Sequence, residues 1–338
     1  MNYSTPEIVK SQRNIGLDII RCFALLMIIT VHTWSLSKIG DRFPYIQNAY
    51  VAFFRLGVPL FVMISGALQL SFKDMSIGKY YKKVFSRLLI PFLLWAAIVY
   101  IISCCIGKYS DVNSVIDAIV CFFPKMFENG VNMAYWYVQM IIVLYLLTPF
   151  LQRAIATITK KELLGVIIGL LVVSVIKDLF PQVYLTQYFS KLLPYLLFYL
   201  LGYYLSIENV LNGLPKWIFV LLFLISTMYK IFIPSYTSVS LYVACGALFV
   251  LLSQISIPKR YSEGIIYISR SSYTIYLSHM ILITPIYVYV LRFNEQCSSM
   301  VQCAVYPILV SFMVLFICTI GVFVATKLFN CKKIIGFH

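Results

Sequence analysis

Charge is scarce in this chain. Only 12% of its 338 residues are Asp, Glu, Lys or Arg, about half the share of a soluble domain, which excludes water as the main solvent of the fold. Acidic residues are scarcest, 12 against 27 basic ones, for a net charge of +15. No C-x-x-C or similar metal spacing occurs among nine cysteines. Most of them (Cys22, Cys104, Cys105, Cys245, Cys318) lie in apolar runs and read as small buried hydrophobes. Cys297 and Cys303 alone lie near an expected outer surface, where a disulfide between them is weakly supported. A low-complexity linker, an internal repeat and a soluble appendage are also lacking. The first apolar run is followed by no clear small-x-small cleavage site, so it is expected to stay as a helix rather than leave as a signal peptide. No metal is implied.

What is present is apolar: 61% of residues are hydrophobic and mean hydropathy is +0.89. Apolar segments recur at about residues 15–36, 51–72, 84–106, 134–151, 163–180, 192–207, 217–233, 238–257, 265–291 and 301–328. Most approach the roughly 20 residues that cross a ~30 Å hydrocarbon core. The pattern predicts an all-α polytopic membrane protein of about ten crossings. Nine or eleven stay open, because the sixth and seventh segments are short and little more than Pro234-Ser235-Tyr236 separates the seventh from the eighth.

Basic residues fall in alternate connections. One set holds Lys10, Arg13, Lys73, Lys79, Lys82, Lys83, Arg87, Arg153, Lys160, Lys161, Lys216, Lys259, Arg260, Arg270, Lys327, Lys332 and Lys333. It outnumbers the other set (Lys38, Arg42, Lys108, Lys125, Lys177, Lys191, Lys230, Arg292) about two to one, which predicts that both termini are cytoplasmic. The expected organisation is a tail over 1–14, a transmembrane domain over 15–328 and a second tail over 329–338. The positive charge then reads as topology and contact with anionic membrane lipids, not as nucleic-acid binding. The longest outer connection, about Gly107–Met133, holds an amphipathic stretch at Val115–Phe123 expected to lie at the outer interface.

Function is sought among ionisable groups inside the apolar runs, where each costs roughly 2.5–3.5 kcal/mol and normally faces a bundle interior or wet cavity. The first run holds Asp18, Arg21 and His32. Fourteen helical steps from Asp18 to His32 leave about 40° of rotation, and eleven steps from Arg21 leave about 20°, so all three share a face. Asp18 and Arg21 have the i,i+3 spacing of an ion pair, read either as a packing device or as part of a pathway. His32 lies roughly 17–21 Å further out. It is read as a catalytic base or proton relay, with a structural hydrogen bond as the alternative.

Arg55 is expected close to the depth of His32, as a snorkelling arginine or as an anion partner for chemistry there. The run Gly57-Val58-Pro59-Leu60-Phe61-Val62-Met63-Ile64-Ser65-Gly66 permits close helix approach or a break lining a cavity. Lys79, Lys82, Lys83 and Arg87 precede the third crossing. They follow the positive-inside bias and also suit a polyanionic cofactor. Ala134–Gln139 reads as an aromatic belt at the interface. Ser271–His279 places His279 near mid-membrane beside hydroxyls, with a structural hydrogen bond as the simpler role.

These pieces together resemble the integral-membrane acyltransferase family 3, which O-acylates cell-surface polysaccharides and related molecules. The resemblance is carried by Leu17-Asp18-Ile19-Ile20-Arg21 leading to Val31-His32, by Gly57–Gly66, Lys83–Pro91 and Ala134–Pro149, and by Ser271–His279, in the family's order. It implies a donor of acetyl-CoA or another acyl-CoA, and an acceptor hydroxyl on a surface polysaccharide or lipid-linked sugar. The family's arginine and histidine map to Arg21 and His32, and its Ser-Gly step to Ser65 and Gly66. Its paired arginines before the third crossing match only at Arg87; Val84 stands at the first position, after Lys82 and Lys83. The fused extracytoplasmic hydrolase-like domain of some members has no counterpart here. The expected enzyme is thus an acyl-CoA-dependent O-acyltransferase of a bacterial-type plasma membrane. In it His32 is base or acyl carrier, Asp18 and Arg21 organise the inner half, and Lys82, Lys83 and Arg87 hold cofactor phosphates. The competing readings are a secondary transporter or lipid-linked sugar flippase, against which no inverted repeat is visible, and a glycan polymerase.

Overall fold

A computed structural model describes residues 13–35, 43–71, 75–128, 131–180, 182, 192–207, 213–233, 238–286, 299–328 and 332–337. The N-terminal tail up to residue 12, Lys38, Arg42, Lys73, Lys191, Arg292, Cys297 and the Pro234-Ser235-Tyr236 connection lie outside these residues. The described residues are 86% helical, with no strand among them. In chain order the helices are α1 (Ile15–Ser35), α2 (Pro44–Phe54), α3 (Gly57–Gln69), α4 (Ile77–Val84), α5 (Ile90–Cys105) and α6 (Val115–Phe127). They continue with α7 (Trp136–Thr157), α8 (Lys160–Leu179), α9 (Leu193–Ser206), α10 (Lys216–Phe232), α11 (Ser238–Ser253), α12 (Lys259–Pro285), α13 (Met300–Leu328) and α14 (Lys332–Ile335).

Five described stretches are long and apolar enough to cross a membrane: Ile15–Ser35, Pro44–Gln69, Ile77–Cys105, Met133–Thr157 and Met300–Leu328. Leu193–Ser206 and Val239–Ser253 are shorter apolar helices. Large apolar side chains such as Ile101, Ile225, Phe232 and Phe316 face outward, as suits helices solvated by lipid tails. This is a multi-pass membrane protein.

Local chemistry sets the helix boundaries. Thr159 and Glu162 form a reciprocal capping box that starts α8. The Ser114 hydroxyl accepts from Asp117 N and starts α6, while Lys125 pairs with Asp111 at 2.8 Å beside that helix. Between α4 and α5 the backbone widens into a π turn over Phe85–Leu89. Pro91 lies just beyond; it has no N–H to donate and its ring would strike the Arg87 carbonyl in a regular helix. In the same turn the Leu88 carbonyl accepts from Tyr273 Oη at 2.8 Å.

Helix α1 is packed by α2, α3, α11, α12 and α13. Thr33 fastens its far end to α13, meeting Pro307 O at 3.0 Å and Ser311 Oγ at 2.9 Å. The tightest helix contact joins α3 to α9. A Cβ at Gly66 would fall 1.8 Å from Tyr199 O, and one at Gly202 would fall 2.1 Å from Met63 O. Each glycine therefore admits the other helix's backbone.

Four features differ from the sequence reading. The second apolar segment is two helices, α2 and α3, interrupted at Arg55 and Leu56. Where the fourth apolar segment begins, Ala134 and Tyr135 are buried, as are Val131 and Asn132 just before it. Tyr135 lies on Phe92 at 5.3 Å and donates to Leu277 O at 3.1 Å, so Tyr135 is a core residue rather than part of an interfacial belt. Residues 332–337, read as part of a tail, pack against the bundle. Thr274 Oγ1 donates to Ile335 O at 2.7 Å, and Phe337 lies on Tyr267 at 5.4 Å. Between them Gly336 adopts φ +88°, with Tyr273 and Pro91 closing off room for a side chain. Finally, Cys303 is a buried free thiol.

Candidate active site

The polar face expected on α1 exists and meets α12 along its length. At the basic end, where α1 begins, Asp18 is 3% exposed. Its carboxylate accepts from Arg13 twice, at 2.6 and 2.7 Å, and from Ser269 Oγ at 2.5 Å. Arg21 Nη1 lies 3.9 Å from the same carboxylate and donates to Ser269 Oγ at 3.0 Å. The i,i+3 pair is therefore bridged by a hydroxyl, and the closest cation to Asp18 is Arg13. A buried carboxylate is tolerated only when its lone pairs are occupied, and here three donors occupy them.

Fourteen residues along α1, the His32 ring lies 5.2 Å from that of His279, centroid to centroid, with planes tilted by 47°. His279 is wholly buried, and its Nδ1 lies 2.5 Å from Tyr276 O. A carbonyl only accepts, so Nδ1 carries the proton and Nε2 holds the lone pair. That Nε2 is buried with no hydrogen-bond partner among the described residues.

Between the two poles runs a column of hydroxyls. Arg21 interacts electrostatically with Tyr145, whose Oη donates to Ser65 Oγ at 3.4 Å. Tyr137 packs edge-on against Tyr276 at 5.3 Å, and Tyr276 lies 5.6 Å from His279. Tyr276 Oη in turn donates to Ala134 O. The column so reaches from Arg21 through Ser65, Tyr145, Tyr137 and Tyr276 to the two imidazoles.

The structure therefore unites Asp18 and Arg21 at one pole and His32 with His279 at the other, with Ser65 in the column between them. Gly66, beside Ser65, is filled by the α9 backbone and serves packing. Arg55 is exposed at the α2–α3 break, and its charge acts on Lys230 of α10. Gly57 just after it packs on the Ala24–Ile28 turn of α1, which sets Arg55 one to two turns nearer the basic end than His32. Lys82 is exposed and Lys83 half-buried at the end of α4, and Arg87 is exposed on the π turn. Beside them Lys83 helps line a shallow cleft with Gln69, Met75, Tyr80, Pro149 and Gln152.

Ser269, Tyr137, Tyr145 and Tyr276 were not singled out from the sequence. A signal was present on α12, where Ser269, Ser272, Tyr276 and His279 repeat at i, i+3, i+7 and i+10 and all are buried.

A family model described as an acyltransferase domain matches residues 14–327. That span covers both poles, the tyrosine column and the basic π turn. No curated protein and no solved structure gives a match.

Proposed function

The chain belongs to acyltransferase family 3, and from that premise we propose that it moves an acyl group, acetyl foremost, from acyl-CoA to a hydroxyl of a surface glycan or its lipid-linked precursor. In this reading the basic end of the bundle faces the cytoplasm of a bacterial-type plasma membrane, with both termini inside and about ten crossings. The donor arrives at the end that carries Lys82, Lys83 and Arg87, whose cations suit the phosphates of coenzyme A. The acceptor arrives from the opposite face.

The observation that carries this reading is the pairing of His32 with a fully buried His279 at the far end of the tyrosine column. A sugar hydroxyl is a weak nucleophile at neutral pH, so its proton must be removed as it attacks. A positioned imidazole supplies roughly 10²–10⁴-fold in rate. His279 donates from Nδ1 to a main-chain carbonyl, so it faces its surroundings as an acceptor through Nε2. It can then orient a ring N–H of His32, leaving the other His32 nitrogen as the base, which is the orienting role of the third member of a catalytic triad. His32 takes the hydroxyl proton, the hydroxyl oxygen bonds to the acyl carbon, and the carbon–sulfur bond breaks. The proton then passes from His32 to the departing thiolate. About 21 Å along α1 separates this chemistry from Asp18. The Asp18–Ser269–Arg21 group and the column beyond it form the inner half of the route.

The test uses purified protein in lipid nanodiscs with labelled acetyl-CoA, and native membranes as the source of acceptor. Label in the glycan fraction with stoichiometric release of free coenzyme A supports the reading. Glycan crossing the bilayer with no coenzyme A released would instead make the chain a flippase. Reporter fusions after Lys83, Lys161, Lys259 and Lys333 should all report cytoplasm; an external C-terminus would overturn the ten-crossing arrangement.

A further inference from the structure

Past α13, residues 332–337 pack back onto the bundle as a hook. Lys332–Ile335 form the single turn α14, and Phe337 N donates to Lys332 O at 2.9 Å. A bond of that span closes a helix end through one residue in the left-handed region. Gly336 fills that place at φ +88°. Phe337 lies 5.4 Å from Tyr267 of α12, ring to ring, and Tyr267 also meets Phe323 of α13 at 6.2 Å. Ile335 is buried, and its carbonyl accepts from Thr274 Oγ1 at 2.7 Å. The hook is thus closed by its own backbone and fastened to α12 at two points.

The hook also packs on the π turn Phe85–Leu89 and on α5. A Cβ at Gly336 would fall 2.9 Å from Tyr273 Cδ1 and 3.1 Å from Pro91 Cβ, so the bare glycine lies against both. Tyr273 Oη in turn donates to Leu88 O at 2.8 Å. The Tyr273 ring is therefore held between Gly336 and Leu88, the residue directly after Arg87. Single π turns are rare and occur often at functional sites. In this one Leu88 is buried and Arg87 is exposed.

We propose that the hook positions the donor site. Gly336 seats the Tyr273 ring, Tyr273 holds the Leu88 carbonyl, and the π turn so fixed presents Arg87 to a phosphate of the acyl-CoA. This rests on the donor end assigned under the proposed function. Gly336 and Tyr273 act here through the backbone at Leu88, with no contact to the donor required. A turn ordered before the ligand arrives spares the entropy of ordering it on binding. The effect therefore belongs to donor binding, and the chemistry at His32 is left alone.

Tyr273→Phe and Gly336→Ala test the relay from its two ends. The first keeps the ring against the hook and removes only the bond to Leu88 O, while the second forces the ring aside. Each is purified at full length in lipid nanodiscs, with its melting temperature, its kinetics with labelled acetyl-CoA and its amide hydrogen exchange across Phe85–Leu89 measured. Both should exchange severalfold faster in that turn. Both should raise the KM for acetyl-CoA severalfold with kcat nearly unchanged, and Tyr273→Phe should melt near wild type. Tyr273→Phe combined with Arg87→Ala should show the KM of Arg87→Ala alone, because the turn then presents no cation. If Gly336→Ala does not insert, Tyr273→Phe decides the matter. Wild-type exchange and KM in folded Tyr273→Phe would overturn the proposal. So would faster exchange with an unchanged KM, or independent multiplication of the two losses, in protein whose Arg87→Ala variant does raise the KM. An Arg87→Ala variant with wild-type KM would overturn the phosphate role of Arg87 itself, and the positioning role of the hook with it.

Discussion

The imidazole of His32 on α1 meets that of His279 on α12, 247 residues later in the chain, with 5.2 Å between ring centroids. Nothing charged stands beside them in the described structure: their neighbours are Tyr276, a main-chain carbonyl and apolar walls. Two imidazoles in contact cannot both be protonated in such a setting without severe desolvation and mutual repulsion. The pair is therefore suited to passing a single proton.

The two histidines should fail differently. His32→Gln keeps size and hydrogen-bonding capacity but cannot act as a base, and should lower glycan acylation by about two or more orders of magnitude with normal membrane insertion. His279→Gln should also impair turnover, because the orienting acceptor is lost, while the double variant should be little worse than His32→Gln alone. Strict multiplication of the two single losses would show that the imidazoles act separately. Normal acylation by folded His32→Gln would return that residue to helix packing.

Ser269 is predicted to be a positioning residue for the inner pole. Its hydroxyl donates to Asp18 and accepts from Arg21, so Ser269→Ala strips one bond from each of two charged groups. Hydrogen bonds to charged partners contribute about 1.5–3 kcal/mol each, and a melting-temperature drop of that scale should follow. Activity should fall as well, and Ser269→Thr should restore both. Loss of stability with unchanged activity in the surviving fraction would limit Ser269 to a structural role.

Gly66 is predicted to tolerate no side chain. An alanine Cβ would sit 1.8 Å from Tyr199 O, and overpacking of this kind costs about 1–3 kcal/mol or more. Gly66→Ala and Gly202→Ala should each lower thermal stability, and the double variant should show a non-additive loss because the two sites share one contact. Unchanged melting together with a raised KM for acyl-CoA would instead restore Gly66 to the cofactor site.

Arg87 tests the donor end. The π turn presents it at the basic surface after Lys82 and Lys83. Arg87→Ala should raise the KM for acyl-CoA severalfold through the loss of one phosphate-facing charge, with kcat nearly unchanged. An unchanged KM in normally inserted protein would leave Arg87 as a topology determinant alone.

The amino-acid sequence by itself determined that this is a multi-pass helical membrane protein, because apolar runs of spanning length leave no other way to satisfy the backbone. It also determined that Asp18, Arg21 and His32 share one face of α1, since that follows from 3.6 residues per turn within a single unbroken helix. Periodicity inside one element carries no information about which distant element lies opposite. Only the tertiary structure decided that His279 is the partner of His32 and that Ser269 bridges Asp18 to Arg21. It also decided that Tyr135 is a core residue, where hydropathy read an interfacial aromatic belt. The reason is the same in each case: these side chains meet through helix packing, and packing is set by the shapes of both surfaces at once. The α3–α9 approach shows this most plainly, since Gly66 permits a close neighbour but cannot name it, and only the fold sets the Tyr199 backbone against it.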